Sequence, residues 1–170
     1  MLDLVQTLTR SALGNARRAA TALEVAVLDR QALAPSDDQP GGLSPLSRDE
    51  ALDLLASHAV GRLCYVARAG VPDVVPVNYA LRDGHVLVRS GPGPKLQAAE
   101  RGEWLALEVD ELDEVARTGR SVVVAGPARV LPEREAAALD GGPEPWATGP
   151  RRHVLAVEVR RVTGRRLGQP

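Results

Sequence analysis

A chain of 170 residues can bury a real core in one ordinary domain and still carry an appendage, and its formal net charge of −1 comes from cations spread along its length. Composition therefore offers no electrostatic case for nucleic acid, and no apolar run approaches the ~18 residues of a membrane span. A single cysteine, Cys64, excludes an intramolecular disulfide framework and any multi-cysteine metal site.

The early Asp3 and the lack of an uninterrupted apolar stretch argue against a signal peptide, so the expectation is a soluble, cytoplasmic protein with no membrane or nucleic-acid partner. Residues 2–34 are Ala- and Leu-rich without proline and read as helix, though Gly14-Asn15 can divide them. APSDDQPGG, 34–42, has the composition of a linker. Residues 1–42 are thus expected to be a helical extension, and 43–167 the domain proper.

Ser47-Arg48-Asp49-Glu50 is a capping box, and Leu52, Leu55, Ala56 and Ala59 continue at helical spacing. From Val60 the period falls to two. Strands are predicted over 61–68, 73–81 and 85–90, with Gly70-Val71-Pro72 turning the first and Asp83-Gly84 the second. Pro94 sits where the first residue of a short helix tolerates proline. Further strands are expected over 104–110, 121–131 (bent at Gly126-Pro127) and 153–162, with a small acidic helix from Pro132 to Leu139. Six strands with short connections and small marginal helices predict a mainly β (α+β) antiparallel barrel. No Phe and only two Trp and two Tyr leave its core to Val, Leu and Ala.

A two-residue type I′ turn at Asp83-Gly84 fixes a register: Arg82 opposite His85, Leu81 opposite Val86, Ala80 opposite Leu87, Tyr79 opposite Val88 and Asn78 opposite Arg89. Val75, Val77, Tyr79, Leu81, Val86 and Val88 then share a core face, and Asn78 and Arg89 lie on the other. After Arg89 come Ser90, a Gly-Pro-Gly-Pro elbow and Lys95 at a helix start. A guanidinium fork, a hydroxyl, an ammonium and free helix amides form the donor set that a phosphate monoester needs. A surface turn with incidental charges fits the same spacing.

His58, His85 and His153 are too scattered for a metal site. Asp110-Glu111-Asp113-Glu114 lacks metal-loop spacing and reads as a solvated turn, and Cys64, between Leu63 and Tyr65, reads as a buried inert thiol. No Ser-His-Asp or P-loop pattern occurs, and no catalytic residue stands out.

VGRL (60–63), PVNYALRDGHVLVRS (76–90), Lys95, LEVD (107–110), GRSVVVAGPARV (119–130), PW (145–146) and VTGRR (162–166) follow in order. Together they resemble the pyridoxamine 5′-phosphate oxidase-like superfamily, and more narrowly its small bacterial nitroimidazole-reductase-related flavoproteins. The resemblance implies a six-stranded Greek-key split barrel, a homodimer, FMN in clefts at the dimer interface and an oxidoreductase acting on a small molecule. A deazaflavin coenzyme, or a non-catalytic flavin- or haem-binding role, remains as an alternative.

Carried over by position, Arg89, Ser90 and Lys95 match residues holding the FMN phosphate, and Pro76, Val77, Asn78 and Tyr79 match the strand along the isoalloxazine. Ser121, Trp146 and Arg165 match positions near the cofactor edge or the interface. The vitamin B6 oxidase's own Arg- and Trp-rich C-terminal segment has no counterpart in RVTGRRLGQP, so oxidation of pyridoxamine phosphate is not implied.

Overall fold

Ser47 opens the first helix of the computed structural model, which describes residues 43–68, 70–139 and 142–168. Its hydroxyl accepts from the Glu50 amide at 3.2 Å, and the Glu50 carboxylate accepts from the Ser47 amide at 2.9 Å, completing the box read from sequence. This helix, α1 (Arg48–Ser57), buries Ala51, Leu52, Leu54 and Leu55 and ends at His58, whose Nδ1 lies 3.2 Å from the Leu54 carbonyl. The expected N-terminal helix and linker fall outside the described residues.

The described residues form eight strands: β1 (Leu43–Pro45), β2 (Val60–Val66), β3 (Pro72–Arg82), β4 (His85–Ser90), β5 (Trp104–Asp113), β6 (Thr118–Val130), β7 (His153–Glu158) and β8 (Arg161–Leu167). All pair antiparallel in the order β1-β8-β6-β5-β2-β3-β4-β7, and a further β6–β7 pairing closes six of them into a barrel. Strand β5 returns beside β2 after the β2-β3-β4 meander, which gives the Greek-key order. Two more short helices, α2 (Pro94–Glu100) and α3 (Glu133–Ala137), flank the sheet. The mainly β split barrel is therefore the architecture of the chain.

The Asp83-Gly84 turn carries φ of 47° and 70°, as a type I′ turn requires, and the register from Arg82↔His85 to Tyr79↔Val88 is the predicted one. It stops there. Asn78 pairs with Val60 of β2 instead of Arg89, and the Tyr79 amide bonds to the Ala59 carbonyl, because β3 changes partners at that point. The core face holds Tyr79, Val86 and Val88 fully, with Val75, Val77 and Leu81 packed at its margin. The opposite face of β4 is not only polar, since Leu87 joins a second small core with Leu131, Val154 and Ala156.

Three further expectations need correction. The single last strand is two strands, broken at Val159-Arg160, so that β7 closes the barrel while β8 extends the sheet beyond β6. Asp110, Glu111 and Asp113 lie on β5 and not in a turn, because the β5–β6 ladder runs on to Asp113↔Thr118. Cys64 is half-buried on the outer face of β2, not buried; burial, followed by the charge of Glu108, pushes its thiol pKa up.

Gly126 makes the closure possible. There β6 leaves β8 and turns to β7, and a Cβ at Gly126 would stand 1.8 Å from the Glu158 carbonyl oxygen.

Candidate functional site

The partner change at Tyr79 opens a cleft on the outer side of the barrel. Above Asn78, strand β3 stays with β2, while β4 continues beside β7, so the two strands diverge. Between them lie Val60, Val75, Pro76, Val77, Asn78, Arg89 and Lys95, and the loop before β7 covers them with Pro145, Trp146, Ala147 and Arg151. The cleft holds about 210 Å³.

Six of the ten residues singled out from sequence meet there: Pro76, Val77, Asn78, Arg89, Lys95 and Trp146. Asn78 is the joint of the site. Its Oδ1 accepts from the Trp146 amide at 2.8 Å, tying the loop to β3, while its Nδ2 is buried with no acceptor among the described residues. A buried donor left unpaired costs about 1–3 kcal/mol, so an acceptor reaching this amide would be stabilising. Arg89 and Lys95, both half-buried, have no carboxylate partner among the described residues either. Lys95 is the only lysine in the sequence, every other basic side chain of the Lys/Arg class being arginine.

The other four lie elsewhere. Ser90 ends β4 fully buried and donates to the Gly91 carbonyl at 2.7 Å, outside the cleft lining. Tyr79 points into the core, where its hydroxyl donates to the Leu55 carbonyl. Burial drives its pKa well above the usual phenol value. Ser121 and Arg165 pair with each other across β6 and β8 on the outer face of the sheet, where Ser121 also faces Asp110 of β5. At ~4.8 Å per strand, they stand roughly 14 and 19 Å from Asn78 along that face.

Arg151, Val60 and Pro145 line the cleft unannounced by sequence. Arg151 follows an irregular Pro/Gly-rich loop with no periodicity, and no motif in the sequence marks it. A second, larger cleft of about 390 Å³ lies at the far end of the β5–β6 hairpin, among Glu111, Asp113, Arg120, Arg166 and Leu167. Its two arginines are committed, Arg120 to Glu111 and Arg166 to Glu50, so it offers no uncompensated cation among the described residues. Size alone would favour it; the unsatisfied donors favour the smaller cleft as the ligand site. No cluster of metal-ligating side chains occurs among the described residues, and no helix there is long and apolar enough to cross a membrane.

Several known proteins resemble this chain in sequence and fold. An uncharacterised protein of Mycobacterium tuberculosis is 39% identical over 128 residues, spanning 72% of this chain and 84% of its own length. The crystal structure of a candidate pyridoxamine 5′-phosphate oxidase from Corynebacterium glutamicum superposes with a TM-score of 0.61 at 25% identity, over 78% of this chain and 98% of that one. An FAD-binding protein from Mesorhizobium loti gives 0.59 at 27% identity, over 75% and 98%. Residues 47–166 match the pyridoxamine 5′-phosphate oxidase family from end to end of the barrel, and the chain belongs to that family.

Proposed function

We propose that the protein is an FMN-dependent oxidoreductase of a small organic molecule, working as a cytoplasmic homodimer with the flavin at the interface. The observation that carries the reading is the pair Arg89 and Lys95, two half-buried cations without a carboxylate partner among the described residues, lining one cleft. A phosphate monoester supplies the missing anion, and the flavin ring carries the acceptors that the orphaned Asn78 Nδ2 lacks. The FAD-binding relative supports a flavin nucleotide in this fold.

When bound, a flavin supplies the electron-transfer chemistry itself, and the protein's part is to bind, orient and shield it. The lining accords with that division, since among the described residues it contains no carboxylate and no imidazole. Arg89 and Lys95 would hold the phosphate, and Asn78 and the Pro76–Val77 backbone would fix the ring edge.

The volume bears on the partner. At about 210 Å³ the cleft is smaller than the ~300–1,000 Å³ of small-molecule sites, so one chain encloses only part of a flavin nucleotide. The same outer sheet face presents Val66 and Val74, both about half exposed, beside Pro72 and Cys64. A second copy on this face would bury them.

Titration calorimetry with FMN and riboflavin tests the cradle. FMN should bind far more tightly, and Lys95→Ala should weaken it roughly ten- to a hundredfold while leaving riboflavin unchanged. Equal binding of the two flavins would refute the phosphate role, and a Soret band or a deazaflavin spectrum in the purified protein would replace FMN as the cofactor. Sedimentation showing only an 18.0 kDa species at micromolar concentration would refute the dimer.

A further inference from the structure

The cleft holds one cation more than a phosphate monoester uses. Arg89 and Lys95 together balance a phosphate dianion, and Arg151 lines the same space with no carboxylate partner among the described residues. Its side chain is also fixed. Nη1 donates to the Ala147 carbonyl at 2.7 Å and the Thr148 carbonyl at 3.0 Å, which uses the two N–H groups of that nitrogen. Nη2 and Nε keep three N–H donors for which the protein provides no acceptor among the described residues.

The loop that holds Arg151 also carries the exposed indole of Trp146, itself anchored by the bond from its amide to Asn78 Oδ1. A guanidinium fork set by two carbonyls thus shares a cleft with a flat, solvent-facing aromatic surface. A fork of this kind matches the two oxygens of a carboxylate, and an indole face suits a planar ring.

We propose that Arg151 is a specificity-determining residue that receives the carboxylate of a planar, monoanionic substrate, with Trp146 as the platform for its ring. The inference rests on the flavin reading above, because it assigns the phosphate to Arg89 and Lys95 and leaves Arg151 for a second molecule. It narrows the substrate class to aromatic or conjugated carboxylates.

The test uses the full chain, with and without saturating FMN, and two probes of one shape: 2-naphthoate and its neutral amide, 2-naphthamide. Calorimetry should show the carboxylate binding roughly ten- to a hundredfold more tightly. Arg151→Ala should bring that ratio close to one without changing FMN affinity, and Arg151→Lys should restore part of it. The ratio is the readout because loosening the 145–151 loop would weaken both probes alike.

A wild-type ratio near one, or a ratio that survives Arg151→Ala, overturns the proposal. So does a loss of FMN affinity in Arg151→Ala comparable to that in Lys95→Ala, which would place Arg151 in the phosphate cradle. If wild type binds no flavin yet keeps an Arg151-dependent carboxylate preference, the flavin reading fails while the carboxylate site stands.

Discussion

Replacing Gly126 by alanine should be among the most damaging single-methyl changes in the barrel. The added Cβ would meet the Glu158 carbonyl oxygen at 1.8 Å and the Arg160 amide nitrogen at 3.3 Å, where ordinary contact begins at 3.4 Å. Both neighbours are backbone, so no side chain can rotate out of the way. Relief requires moving β6 away from the β7–β8 junction, which breaks the bond from the Arg160 amide to the Ala125 carbonyl at 3.1 Å.

Overpacking of a well-filled site costs about 1–3 kcal/mol when side chains can adjust, and a backbone-locked site belongs at or beyond the top of that range. For a domain of this size, 3 kcal/mol corresponds to a fall in Tm of about 10 °C. Gly70→Ala is the control: nothing lies within 4 Å of its Cβ, so only the positive φ of 78° is penalised, by about 1–2 kcal/mol. Thermal unfolding followed by circular dichroism gives both values. A Gly126→Ala protein melting within about 2 °C of wild type would refute the claim that close approach at Gly126 permits the barrel to close.

The chain has two tyrosines, and both should resist ionisation. The hydrogen bond to Asp73, then burial, pushes the Tyr65 hydroxyl up to about 12, and burial pushes Tyr79 higher still. Raised phenol values favour the protonated form, so this contribution to stability is complete below the ordinary value of 10.0 and is lost as pH climbs through 12. Absorbance at 295 nm should show no phenolate step near pH 10 in the folded protein, and a reversible one-tyrosine step there would contradict the Tyr65–Asp73 contact. Lys95, as the only ε-amine, should be the single internal site of acylation by an amine-directed reagent, and saturating FMN should slow that modification at least about tenfold. Mass spectrometry reads the product, and equal rates with and without FMN would remove Lys95 from the site.

Local sequence carried most of the framework. The capping box, the period-2 runs and the Asp83-Gly84 turn each depend on neighbours a few residues apart, so α1, the β3–β4 hairpin and its register were legible. The same locality placed Asn78 and Arg89 on one hairpin, with Lys95 a few residues beyond its end. Where β3 would exchange β4 for β2, and where 153–167 would break into two strands with different partners, depends on pairings between distant segments. No periodicity records those choices. The cleft arises from them, because it opens where β3 and β4 part, and its far wall is a loop without regular pattern. Trp146 entered the reading through a resemblance and Arg151 not at all. Only the tertiary fold brings that loop back across the hairpin, fastened by one bond from the Trp146 amide to Asn78. Sequence thus determined which donors lie on the hairpin; long-range strand pairing decided that they would face a third cation across a cleft.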